Sequence, residues 1–258
     1  MKRKFFTAII MCMISMLVIS GCSTNKKNKN EVVVGLDDTF VPMGFKDSNG
    51  KLVGFDIDLA NEVFKREGMK VTFQPIDWSM KESELRAGNI DAIWNGYSIN
   101  ANRKKQVNFT KPYLANRQVI ITLANSQIKT KSDLKGKSVG VQNGSSSLDA
   151  VNKDKNLVNS FSGGKPVLYD NNNEALMDLE SKRIDAVVAD ETLARYYINK
   201  RGESKYKILQ DNFGEEEYGV GVRKDDNQLR AKIDKEIDAM KKDGTYDKIY
   251  KKWFGTLK

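Results

Sequence analysis

Residues 90–103, IDAIWNGYSINANR, predict a joint between three kinds of local structure. Ile90, Ala92, Ile93 and Trp94 read as a buried strand, Asn95, Gly96, Tyr97 and Ser98 as a tight polar loop, and the residues up to Arg103 as the start of a helix. Small and polar residues at a strand's carboxyl end, followed by a helix start, bring free backbone N–H groups and a guanidinium towards one point. That chemistry suits a small anion such as a carboxylate. An ordinary strand–loop–helix joint with a surface arginine would read the same way, so the flanking chain must decide.

Upstream, residues 32–36 (VVVGL) form a continuous apolar run, typical of a strand buried on both faces of a parallel sheet. A loop with turn formers follows, Asp37-Asp38-Thr39-Phe40-Val41-Pro42. Then come a turn at residues 47–50 and a short strand at 51–53. Leu59, Ala60, Val63 and Phe64 recur at helical spacing, with Asp56 and Asp58 in the first turn, where they suit the helix dipole, and Gly68 as the stop. Val71-Thr72-Phe73 reads as a strand, Asp77-Trp78 as a loop and residues 81–87 as a helix ended by Gly88. This alternation predicts an α/β sheet with ligands at the strands' carboxyl ends.

Downstream, residues 118–123 form another apolar strand, 132–137 a short helix and 138–142 (SVGVQ) a strand. Asn143-Gly144-Ser145-Ser146-Ser147 repeats the logic of the central stretch, with N–H groups and hydroxyls before a helix. Residues 174–179 read as helix. Then Arg183-Ile184-Asp185-Ala186-Val187-Val188-Ala189-Asp190 echoes Asn89-Ile90-Asp91-Ala92-Ile93-Trp94-Asn95. The doubled phrase predicts two similar lobes, each with its own α/β sheet. A glycine-bearing strand is expected over 218–223, followed by two helices. Tyr246, Ile249, Tyr250 and Trp253 form a packing stripe on the second.

The formal net charge is +9 over 258 residues, but it does not describe a nucleic-acid groove. Six of the positive charges (Lys2, Arg3, Lys4, Lys26, Lys27, Lys29) precede Glu31, the first acidic residue, which leaves +3 spread among mixed signs. No nucleic-acid partner is expected. There is no histidine, and the two cysteines are Cys12 and Cys22. Zinc, haem and Cys–His or Ser–His chemistry therefore have no side chains to rest on, and no cofactor or metal is expected. Residues 2–4 form a positive start, 5–19 an apolar run too short to span a bilayer, and Ile19-Ser20-Gly21-Cys22 a small-residue approach to a cysteine. This resembles a bacterial lipoprotein signal. It implies removal of residues 1–21, lipid on Cys22 and a flexible tether over 22–30.

Six phrases in order carry a wider resemblance: VVVGLDDTFVPMGF, GKLVGFDIDLA, IDAIWNGYSINANRKKQVNFTKPY, DLKGKSVGVQNGSS, RIDAVVADE and KKDGTYDKIYKKWFG. Together they resemble the polar amino-acid substrate-binding lipoproteins of ABC importers, the extracellular solute-binding family 3. The resemblance implies an α/β, two-lobed periplasmic-binding-protein (type II, Venus flytrap) fold. Lobe 1 would comprise residues 31–117 and 218–258 and lobe 2 residues 118–217, with a ligand cleft between them and two hinge strands. It implies a non-enzymatic monomer on the extracytoplasmic face of the membrane. That protein would pass a free L-amino acid to permease and ATPase subunits.

Roles follow for matching positions. Arg103 would hold the α-carboxylate, helped by Ser98 and the Gly96 backbone, with Gly144, Ser145 and Ser146 donating from the second lobe. Asp190 would take the α-ammonium. Phe40 and Trp78 would sandwich the side chain, and Asp37 and Asn95 would meet its polar end. Asn100 and Asn102 depart from the usual threonine and acidic residue, Met43 replaces a common phenylalanine, and Trp94 and Asn95 are bulkier than usual. Asp37 and Asp38 disfavour an acidic side chain, which points to glutamine, cystine, arginine or lysine. Two alternatives use the same fold: a sensing or adhesive lipoprotein without transport, and a dehydratase-like enzyme, for which Glu191 is the candidate base.

Overall fold

The computed structural model describes residues 30–202 and 204–255. The leader, Cys22 and the tether up to Lys29 lie outside the described residues. The first sheet has the order β5 (Lys70–Pro75), β1 (Glu31–Leu36), β6 (Ala92–Ile93), β13 (Gly221–Val222) and β7 (Asn108–Phe109). The second has the order β10 (Val167–Tyr169), β9 (Val139–Gln142), β11 (Ala186–Asp190), β8 (Leu114–Leu123) and β12 (Tyr206–Tyr218). A small sheet of β2 (Thr39–Phe40), β3 (Gly44–Lys46) and β4 (Leu52–Val53) follows the first strand.

The doubled sequence phrase has a structural counterpart. β1 and β6 run parallel, with β13 antiparallel beside β6; β9 and β11 run parallel, with β8 antiparallel beside β11. In both lobes the repeated aspartate ties the strand it opens to its parallel neighbour. Asp91 N donates to Val33 O and Asp91 Oδ2 accepts from Val33 N at 3.0 Å; Asp185 N donates to Ser138 O and Asp185 Oδ2 accepts from Ser138 N at 2.9 Å. The aspartate thus supplies the hydrogen bonds that the ladder lacks at its first rung.

Helices α1 (Phe55–Arg66) and α2 (Lys81–Ala87) make the crossovers of lobe 1, and α3 (Ala101–Gln106) follows the central loop. Asn100 caps α3 by accepting from Arg103 N at 2.9 Å, so the departure from threonine leaves the cap intact. Lobe 2 carries α4 (Ser146–Asn152), α5 (Lys155–Asn159), α6 (Asn172–Glu180) and α7 (Glu191–Arg201). The chain returns to lobe 1 with α8 (Asn227–Asp243) and α9 (Thr245–Phe254). The aromatic stripe of α9 is packing: Tyr246, Tyr250 and Phe254 lie 5.8, 6.1 and 5.1 Å from the Phe55 ring, and Trp253 Nε1 donates to Asp58 at 2.8 Å.

The chain crosses between the lobes on two long strands paired side by side. Leu114 faces Tyr218, Ala115 faces Glu217, Asn116 faces Glu216 and Arg117 faces Glu215. The glycine-bearing strand expected over 218–223 is shorter than that, since only Gly221–Val222 is strand and Tyr218 instead ends β12. β12 itself is hidden in the sequence, because YKILQDNFGEEEY is acidic and carries two breaks of register, which destroy its alternation. The edge strand β10 and the short α5 are likewise absent from the sequence pattern.

Candidate ligand-binding cleft

The loops at the carboxyl ends of β1, β6, β9 and β11 meet between the lobes. Asp37, Phe40, Trp78, Asn95, Gly96 and Arg103 from lobe 1 surround one cavity with Gln142, Ser145, Ser146 and Asp190 from lobe 2. Nine of the eleven positions nominated from sequence line it. The other two adjoin it: Ser98 Oγ lies 3.0 Å from Ser146 Oγ, and the Gly144 carbonyl accepts from Arg103 at 3.3 Å. The lobes are closed on each other, and the cavity between them is only ≈ 10 Å³, about one water's room.

At the basic end, Arg103 is 4% exposed and lies over the Tyr97 ring, 4.6 Å from its centre. Its Nη1 donates to Ser98 O at 3.1 Å. Lys81, from the start of α2, joins it: its ammonium donates to Trp78 O at 3.0 Å and to Gly144 O at 2.8 Å. Glu82 is the carboxylate of this group, 3.2 Å from Lys81 and 2.8 Å from the Tyr97 hydroxyl. Gly144 has φ +65°, and a Cβ there would sit 2.9 Å from Ser79 Cα of the opposite lobe, so the close approach requires glycine.

At the acidic end, three donors converge on one oxygen of Asp190. Asn116 and Gln118 amides and the Tyr218 hydroxyl all reach Oδ1, the last two at 2.9 and 2.7 Å. Glu216, on β12, accepts from Ser98 Oγ at 2.6 Å and from the same Gln118 amide at 2.9 Å. Burial and the nearby Glu216 charge push Asp190 up to about 7. At the third end, Asp37 takes Thr39 on Oδ1 and the Gln142 amide from lobe 2 on Oδ2 at 2.8 Å. Burial raises its pKa against those hydrogen bonds. Asn172 holds the Gln142 Oε1, which fixes the amide nitrogen towards Asp37. Asp38 turns instead to Lys46, 2.5 Å away.

Several details differ from the sequence-based expectation. The Gly96 N–H is not free: it donates to Asp56 Oδ2 at 2.7 Å. Glycine is required there on steric grounds, at φ +56° with a would-be Cβ 2.7 Å from the Phe40 ring. The Ser145 hydroxyl is occupied as the cap of α4, accepting from Leu148 N and donating to Gln142 O. Asn95 Oδ1 holds the Asp37 N–H at 3.1 Å, so its amide orients the acid. Trp94 is in the core against Phe64 and Tyr113, and does not shape the cavity. Glu191 points elsewhere, forked to Arg117 at 2.6 and 2.7 Å and bonded to Arg195; burial would raise its pKa, but the two arginines outweigh that and lower it.

Five further residues of the cleft, Asp56, Lys81, Gln118, Gln142 and Glu216, are not nominated by the sequence. Asp56 carries a signal nonetheless. It shares the α1 face of Leu59, Ala60 and Val63, where a carboxylate must find hydrogen bonds, and it is buried there on Gly96 N and the Tyr113 hydroxyl. Burial pushes it up to about 7. Lys81 shares the buried α2 face of Leu85 in the same way.

Residues 32–256 match the model of the bacterial extracellular solute-binding proteins, family 3. A probable amino-acid-binding protein YxeM of Bacillus subtilis (strain 168) is 32% identical over 264 residues, covering 98% of this chain and 96% of that protein. A Streptococcus pneumoniae ABC uptake transporter substrate-binding protein, solved with bound histidine, superposes with TM-score 0.85 at 41% identity, over 88% of this chain and 93% of that one. An ancestral arginine-binding protein bound to glutamine superposes with TM-score 0.81 at 46% identity, over 89% of this chain and all of that one. With its two mixed-sheet lobes, paired crossing strands and polar cleft, this chain belongs to the bacterial extracellular solute-binding proteins, family 3.

Proposed function

We propose that this protein is the extracytoplasmic substrate-binding component of an ABC importer, capturing a free polar L-amino acid by lobe closure and delivering it to a permease driven by an ATPase. The observation that carries the reading is the placement of Arg103 and Asp190 on opposite lobes of one cavity. A zwitterion satisfies both. The guanidinium forks to its carboxylate, and the Asp190 carboxylate takes its ammonium. Closure is then a population shift driven by a ligand that grips both lobes at once. Periplasmic binding proteins in general close about a hinge in this manner.

On this reading residues 31–117 and 218–258 move as one lobe and 118–217 as the other, hinged at the paired strands. Cys22 carries lipid on a monomer held to the outer face of the membrane, after removal of residues 1–21. Ser146 donates near the ligand's backbone, with Ser98, whose hydroxyl is spent on Glu216, beside it; Phe40 and Trp78 flank its side chain, and Asp37 with Gln142 meets its polar end. Asp37 disfavours an acidic side chain, which leaves a glutamine, cystine, arginine or lysine type. Binding and not catalysis is proposed, because the candidate base Glu191 is held by two arginines and does not line the cavity.

A thermal-shift panel of the twenty amino acids and cystine tests this, since a ligand of the native state raises apparent stability by mass action. A rise with one or a few polar neutral or cationic members is expected. Glutamate alone raising the melting temperature would refute the side-chain reading, and no rise with any amino acid would refute the function.

A further inference from the structure

Lys81 and Arg103 both come from lobe 1, and both end on one neutral oxygen of lobe 2. Lys81 Nζ is 2.8 Å and Arg103 Nη2 3.3 Å from the Gly144 carbonyl. The Lys81 side chain is 3% exposed. Its other partners are the Trp78 carbonyl and Glu82 Oε2 at 3.2 Å. Glu82 must serve both cations, its Oε1 lying 3.9 Å from Arg103 Nε while also accepting from Tyr97. The other charges facing the group are Asp149, on the first turn of α4, which Asn100 holds at 3.2 Å, and Asp190, which shares the cavity with Arg103 and feels its charge. Closing the lobes therefore removes two like charges from water with one carboxylate, Glu82, in direct contact and a carbonyl dipole beside it, while Asp149 and Asp190 act from beyond ion-pair distance. A dipole is a weaker counter-charge than an ion, and repulsion between buried like charges is strong.

We propose that Lys81 is a second cation of the pole that takes the ligand's α-carboxylate, and that it makes lobe closure depend on that carboxylate. The proposal rests on the reading of the cleft as an amino-acid site. Without ligand in solution, closure brings two cations together with only one carboxylate, Glu82, in contact with them. The ligand's carboxylate, seated by Arg103, supplies what is missing. Lys81 touches no side chain of the ligand in this scheme, so it sets how tightly every amino acid is held and not which one is preferred.

The titration of Lys81 agrees with that geometry. Burial, with the Arg103 charge next, pushes its pKa down to about 8 in the closed arrangement. An ammonium exposed by lobe opening returns towards its ordinary value of roughly 10.4. Closure thus releases a proton between these two values, and rising pH favours the closed form of the ligand-free protein. Below pH 8 the full penalty against closing without ligand is present. Asp190 and Asp56, at about 7, complete their titration below this window.

The test measures lobe separation in the ligand-free full chain, by a fluorescence-transfer pair across the cleft, from about pH 7 to about pH 10, the change above about pH 8 being the one assigned to Lys81. The wild type is expected to become more closed across that range. Lys81→Met should be closed already at pH 7 and insensitive to pH; Lys81→Arg should keep the charge and stay open throughout. At pH 7, Lys81→Met should bind every amino acid of the panel at least about tenfold more weakly, with the order of preference unchanged. A wild type whose lobe separation ignores pH, or a Lys81→Arg protein that closes with pH as the wild type does, overturns the proposal. So does a Lys81→Met protein with wild-type affinity. The wild-type and Lys81→Arg arms decide the matter if Lys81→Met fails to fold. Failure of any amino acid to bind the wild type sinks the proposed function and leaves the ligand-free arms to be read on their own.

Discussion

Replacing Arg103 by alanine tests the proposed grip on the ligand's carboxylate directly. The side chain is 4% exposed, donates to Ser98 O and Gly144 O, and lies over Tyr97. Gly144 O keeps Lys81 as a donor after the change, at 2.8 Å, so the closed protein loses little of its own bonding. The ligand loses far more. Its carboxylate would be buried against neutral donors and one displaced ammonium, and an ion deprived of its buried partner costs about 3–5 kcal/mol. That corresponds to a dissociation constant raised roughly 150-fold to 5,000-fold. Titration calorimetry with the amino acid found by the panel measures it. The decisive version is a cycle in which the same ligand is offered as its amide, which has no α-carboxylate. If guanidinium and carboxylate grip each other, the amide should lose far less affinity than the free acid on going from the wild type to the alanine variant. Arg103→Lys should recover only part of the loss, because a point charge cannot fork. An alanine variant within about threefold of the wild type, a difference well under 1.4 kcal/mol, would refute the placement of the carboxylate at Arg103, as would fully additive losses in the cycle.

Asp190→Asn should also weaken binding, by removing the counter-charge of the ammonium. Asp56, buried within lobe 1 on Gly96 N and the Tyr113 hydroxyl, makes a stability statement with a definite sign. Its folded pKa of about 7 lies above the ordinary value of 3.8, so the folded protein binds more protons than the unfolded one between those limits. The ligand-free melting temperature should therefore rise as pH is lowered from about 7.5 towards about 5.5, and Asp56→Asn should blunt the rise. Phe55→Ala should cost about 3–5 kcal/mol in urea unfolding, since Phe55 is fully buried against three aromatic rings of α9. Gln142→Leu should change the order of preference in the amino-acid panel, because it strips Asp37 of its donor from lobe 2 and leaves the Arg103 pole untouched.

The two lobes are legible in the chain because their signal is local. A repeated Ile-Asp-Ala phrase needs an aspartate in each copy to close the first rung of a parallel ladder, and that requirement shows within a few residues. Apolar runs and helix caps are local in the same sense. Most site positions can be nominated from resemblance, and the fold gathers them around one cavity. Resemblance does not supply which atoms are already occupied. Gly96 N–H belongs to Asp56, 40 residues earlier, and the Ser145 hydroxyl to its own helix cap.

Composition and local pattern alone establish the alternation of strand and helix, the lack of any histidine and the opposed charges at Arg103 and Asp190. The company those charges keep is settled by folding. Lys81 meets Gly144 across 63 positions and Glu216 meets Ser98 across 118. Electrostatic pairing in a closed cleft depends on distance in space and on exclusion of water, and neither is a property of neighbouring residues.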